Sequence, residues 1–155
     1  MSTLKVTNLQ KLDGTTFPMI GQVVEASSST NFTNSSTSMS EMLNASITPT
    51  STNSKILIHF HVNCQIVASS NAYGRATVFR GTISGTDLGA LIGGSAAGSN
   101  ANFPLTGTYL DSPSTISAQQ YTLAMNTASG ATSSVTTDST TYRLILMEVL
   151  PWHQY

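Results

Sequence analysis

The sequence predicts an all-β fold, a β-sandwich with the jelly roll as its leading topology, and two observations carry that expectation. Apolar and polar residues alternate with period two in several short runs, the longest being Lys55 to Val67. Clusters of Gly, Pro, Asn and Ser separate those runs, and no segment shows a helical period.

Taken in chain order, Leu4 to Leu9, Ile20 to Ala26 and Met39 to Ile47 read as short strands. Lys55 to Val67 places Ile56, Ile58, Phe60, Val62, Cys64 and Ile66 on one face and His59, His61, Asn63 and Gln65 on the other, which defines a long half-buried strand. Tyr73 to Arg80 and Gln120 to Met125 follow. Tyr142 to Leu150 is apolar on both faces in its middle, which suits a central strand covered on both sides or covered by a neighbouring subunit. Ser27 to Ser38, Gly81 to Phe103 and Ala128 to Thr140 read as loops of small residues. An immunoglobulin-type sandwich is the weaker alternative, because Cys64 is the only cysteine and Trp152 lies near the end. The expected organisation is a short attachment segment, 1–19, before one head domain, 20–155.

Composition narrows the function. Of 155 residues only 8% are charged, against about 25% in ordinary soluble domains, while 46 are Ser or Thr. The formal net charge of −1 leaves no electrostatic footprint for nucleic acid or anionic lipid. The first residues lack the basic flank and apolar stretch of a signal peptide, and the apolar runs are too short to span a bilayer. Synthesis in the cytoplasm without membrane insertion is therefore expected.

Catalytic signatures are weak. No G-x-S-x-G elbow occurs, and Cys64 alternates with core residues, as an inert small hydrophobe does. The acids are scattered along the chain, and a hydrolase would have to rely on one such as Asp111 or Asp138. No enzyme and no cofactor are expected. His59 and His61 project from one strand face at a spacing metal sites use, yet their sequence neighbours Asn63 and Gln65 supply no third ligand, so His153 or an acid would have to approach in space. For the two histidines, hydrogen bonding on a polar sheet face or at a subunit contact is the plainer role. Around a threefold axis they would form a ring that titrates near neutral pH. Arg75 and Arg80, beside Tyr73 and Phe79, suit a carboxylate or a sugar, although pairing with Asp or Glu is the commoner use. Polar loops are the expected contact zone, with Gly93, Gly94, Asn100, Asn102, Thr132 and Asp138 as candidates.

Five segments in order carry a family likeness: Ser2 to Gln10, Ile47 to Ile58, Thr77 to Gly81, Tyr109 to Pro113 and Leu144 to Val149. Together they resemble the small C-terminal globular heads of tail fibres in cyanophages and other marine tailed phages. In the second and fourth segments Pro49, Asp111 and Pro113 specify bends, so these are scaffold motifs. The resemblance implies a jelly roll similar to tumour necrosis factor-like domains, assembled as a homotrimer in the virion. Its partners would be copies of itself, other virion proteins and a host cell-surface glycan. Tail-fibre head or short fibre is the first role it implies; capsid decoration (cement) protein and stand-alone lectin-like module are the alternatives. In such a trimer Tyr142, Leu144 and Leu146 would line the axis.

Overall fold

The computed structural model describes residues 20–68, 72–96, 101–127, 133–137 and 140–150. Ten strands follow one another: β1 (Ile20–Ser28), β2 (Thr33–Asn34), β3 (Ser40–Ile47), β4 (Lys55–Ala68), β5 (Ala72–Arg80), β6 (Thr86–Ala96), β7 (Ala101–Asp111), β8 (Gln119–Thr127), β9 (Ser133–Thr136) and β10 (Tyr142–Val149).

Pairing is nested. β1 pairs with β10, β3 with β8, β4 with β7 and β5 with β6, all antiparallel. Successive pairs fall alternately in two sheets, β1-β10-β4-β7 and β3-β8-β5-β6, as in one long hairpin rolled up across a sandwich. That arrangement is the jelly roll. The short strands β2 and β9 pair with each other and extend the first sheet along the far end of β4.

β4 organises the core. Ile56, Ile58, Phe60, Val62 and Ile66 are fully buried and Cys64 nearly so, whereas Leu57, His59, His61 and Gln65 turn outward. From the opposite sheet Ala76, Val78, Tyr121, Leu123 and Met125 meet them. Phe60 stacks on Tyr109 of the neighbouring β7 at 6.3 Å between ring centres. Burying each such aromatic or branched side chain contributes about 1.5–3 kcal/mol.

All three expected loops contain strands, Ser27 to Ser38 holding the end of β1 and the short β2. Gly81 to Phe103 holds a turn, Gly85 N donating to Thr82 O at 2.8 Å, and then β6 and the start of β7. β6 is rich in Gly and Ala, which carry little strand propensity, so its pairing with β5 decides its conformation. β7 contains Pro104, which is tolerated because β7 bonds to β4 alone and leaves its other edge free. Gly93 and Gly94 are thus strand residues of β6, and Asn102 is one of β7. β9 lies within the expected loop Ala128 to Thr140. Asn100, Thr132, Asp138, His153, the 1–19 segment and the strand expected at Leu4 to Leu9 lie outside the described residues.

β10 is a central strand between β1 and β4. Its inward residues, however, are Tyr142, Leu144 and Leu146, which belong to the chain's own core at 3%, 0% and 0% exposure. They are not free to line an axis between subunits, because the period-two twist of the strand commits them to the sandwich. Leu144→Ala is therefore expected to lower the unfolding free energy by about 2–5 kcal/mol without changing the solution mass of the folded protein. Urea denaturation and light scattering on the same sample check both halves.

Candidate assembly face

The outer face of the first sheet carries an arrangement that the one-dimensional pattern only hinted at. Register aligns Val23 with Met147, Met147 with Leu57, and Leu57 with Leu110. These four apolar side chains form a row across β1, β10, β4 and β7, all on the solvent side. Val23 is 58% and Leu110 55% exposed, with Leu57 and Met147 half-buried between them. Ile145 stands in the next row, aligned with Glu25 and His59. Scattered exposed apolar residues are ordinary, but a contiguous strip marks a contact surface. Leu57 was visible in the sequence as the apolar intruder among His59, His61, Asn63 and Gln65; its alignment with Val23, Met147 and Leu110 is a product of register.

Beside the strip the same face is polar. His59 Nδ1 lies 3.0 Å from Thr108 Oγ1 and His61 Nδ1 3.1 Å from Thr106 Oγ1, each pair bridging β4 and β7. Arg143 of β10 pairs with Glu25 of β1. No group of three or more His, Cys, Asp or Glu is placed to hold a metal ion among the described residues. Asn102 borders a hollow of about 160 Å³ with Asn63, Cys64, Phe103 and Pro104, below the size of ordinary ligand pockets. Burial pushes the Cys64 thiol up to about 12, which leaves it protonated and unreactive.

The buried acids act as latches, and they join the sequence segments quoted above. Glu148 is fully buried on β10. It accepts from Gln22 Nε2 at 2.9 Å, from Thr50 N at 2.6 Å and from Thr50 Oγ1 at 2.8 Å. Gln22 also donates to Thr48 O at 2.6 Å, so β1, β10 and the turn before β4 meet at one carboxylate. Gly21 leaves the room, since a Cβ there would come within 2.8 Å of Glu148 Oε2. At the sandwich end Asp111 accepts from Tyr121 Oη at 2.7 Å and faces Arg80 at 3.6 Å, tying β7 of one sheet to β8 and β5 of the other. Burial, then the hydrogen bond and charge of Asp111, raise the Tyr121 phenol, against a smaller opposing effect of Arg80. Asp87 accepts from Thr77 and from Gly89 N, and Tyr109 donates to Gly89 O. In the sequence Asp111 reads as a turn residue; in the fold it is the last residue of β7 and a clasp between sheets.

No protein-family model matches the chain, and no curated protein matches it. Among solved structures, a chain of the infectious bursal disease virus particle is similar at 12% identity and TM-score 0.48, with 95% of this chain covering 35% of that one. The Gx strain of the same virus gives 11% identity and TM-score 0.45, covering 96% of this chain and 42% of that one. Its VP2 subviral particle gives 12% and 0.43, with 96% and 42% covered. The chain spans about two fifths or less of the length of these structures.

Glu148 yields a pH prediction. Burial alone would raise its carboxyl, but the hydrogen bonds from Gln22 and Thr50 outweigh this and hold it down at about 2; the buried Ser54 hydroxyl acts the same way without reaching hydrogen-bond geometry of its own. A depressed folded-state value means stability present above the ordinary carboxyl range near 4.5 and lost as pH falls from there through about 2. The contribution is about 3 kcal/mol. Urea unfolding between pH 6 and pH 2 is expected to show the loss, with a flatter profile in Glu148→Gln.

Proposed function

We propose that this protein is a non-enzymatic virion structural component: a homotrimeric tail-fibre head or short fibre that contacts the host surface. The observation that carries the assembly half is the apolar strip Val23–Met147–Leu57–Leu110 on the outer sheet face. In a chain with 8% charged residues, contacts of this kind lose little to salt screening. Two further copies of the chain are its occupants: set around a threefold axis, the strip of each copy buries its hydrocarbon against those of the other two and the rotation closes the oligomer. The fibre-head half is supported by the five-segment resemblance, four pieces of which meet in space in pairs: Ile47 to Ile58 with Leu144 to Val149 at Glu148, and Thr77 to Gly81 with Tyr109 to Pro113 at Asp111. Hydroxyls and amides on a rigid jelly roll suit recognition of a glycan.

Capsid decoration is the second reading. It is favoured by the breadth of the strip, which crosses four strands of a sheet and suits seating on a protein lattice as well.

Light scattering coupled to size exclusion is expected to give three times the 16.3 kDa chain mass. Leu57→Arg with Leu110→Arg is expected to reduce it to the mass of one chain with the fold retained by circular dichroism. A wild-type monomer would sink the trimeric reading. Immunogold labelling of particles then separates the two virion roles, at fibre tips or over the capsid.

A further inference from the structure

The chain has three arginines, and two of them hold carboxylates: Arg80 faces Asp111 and Arg143 pairs with Glu25. Arg75 has no acidic partner among the described residues. On β5 the alternation buries Gly74, Ala76 and Val78 toward the core, so Tyr73 and Arg75 turn to the outer face of the second sheet. There Arg75 stands in register with Asn126 of β8. Arg75 Nε is buried without a hydrogen-bond partner, and so is Asn126 Oδ1. Turning the amide over does not cure this, because Asn126 Nδ2 already donates to Thr37 O and the residue is only 6% exposed. Each orphaned group costs about 1–3 kcal/mol, and native folds seldom keep a donor and an acceptor unpaired side by side.

Two further features mark the same place. Arg75 pairs with Ile92 but Tyr73 with Ser95, so β6 carries an irregularity there and Gly93 and Gly94 take up the extra length. Such bulges concentrate beside binding sites. Tyr73 is 45% exposed and stands two residues along the same strand face, roughly 7 Å from Arg75.

From these observations we infer a binding site for a carboxylate-bearing saccharide, a uronic acid unit, at Arg75, Asn126 and Tyr73. The guanidinium donates to the sugar carboxylate, a ring hydroxyl donates to Asn126 Oδ1, and the apolar face of the sugar ring lies on Tyr73. Arg75 is the moving part. It is partly exposed, whereas Asn126 is tied to Thr37, so binding at this site requires the guanidinium to turn outward and present Nε to the ligand beside Asn126 Oδ1. A simple carboxylate satisfies only the donor, and a neutral sugar leaves the charge unpaired; a uronate answers both. The assignment rests on the host-contact reading for the natural source of the ligand, and solution mass tests that reading separately.

The test is calorimetric titration of the full chain with tri-galacturonate and, in parallel, with its methyl ester. The acid is expected to bind at least about tenfold more tightly than the ester. Arg75→Met is expected to lose acid binding by a similar factor while its melting temperature without ligand stays level or rises, since a buried orphan donor is gone. Lys55→Gln, on the first sheet, leaves the affinity unchanged. Should Arg75→Met fail to fold, Arg75→Lys, which keeps the charge and lacks Nε, is expected to show the same loss. No binding of the acid, equal binding of acid and ester, or an undiminished affinity in the Arg75 variant overturns the site. A trimer that binds no uronate defeats this inference and leaves the assembly reading standing; a monomer that binds it does the reverse.

Discussion

The constraint on which the rest of the structure depends is the pairing of β4 along both edges. Its fourteen residues bond to β7 on one side, from Ile56 to Ile66, and on the other to β10 from Lys55 to His61 and to β9 from Gln65 to Ala68, so most of its backbone is committed on both edges. Because its inward side chains are apolar from Ile56 to Ile66, a one-residue slip against any neighbour would turn the core out into water. Register on β4 therefore sets register on β10, and through β10 on β1. The outer apolar strip and the paired His–Thr contacts are consequences of that single alignment.

A chain this poor in charge meets its polar requirements in an uncommon way. It spends its few buried acids where strands and turns from distant parts of the sequence converge. Glu148 gathers β1, β10 and the turn at Thr48 to Ser54, and Asp111 closes the gap between sheets with Tyr121 and Arg80. Glu148 accepts three hydrogen bonds, and Asp111 accepts one and faces a guanidinium, which is the condition for a buried charge to be tolerable. Both acids stand in the register row of Ile56, so the two latches close the same end of the sandwich.

The two outer faces differ in character. On the first sheet Leu57, Met147 and their neighbours expose hydrocarbon in a flat row, a surface for protein contact. On the second sheet the buried polar residues Thr77, Thr122 and Asn126 face outward between strands, and two atoms, Arg75 Nε and Asn126 Oδ1, remain without a hydrogen-bond partner. In the proposed reading one face is completed by apolar surface from other copies and the other by a hydrogen-bonding ligand. A trimer joined through the first sheet leaves the second available, so the two surfaces do not compete.

By itself the sequence determined the all-β class, the positions of β1, β3, β4, β5, β8 and β10, and the inward set of β4. Those features rest on local alternation, which any strand pairing must respect. It also showed that Cys64 belongs to the core and that Ile47 to Lys55 bends. Only the tertiary structure decided that Thr86 to Asp111 forms two strands, because Gly, Ala and Pro become strand residues through pairing with β5 and β4 rather than through their own preference. It alone turned Tyr142, Leu144 and Leu146 into the core and put Val23, Leu57, Leu110 and Met147 in one row. It alone gave Arg80 a carboxylate and left Arg75 without one. Which side chains meet across strands depends on register, and register is a long-range property that no local pattern of residues contains.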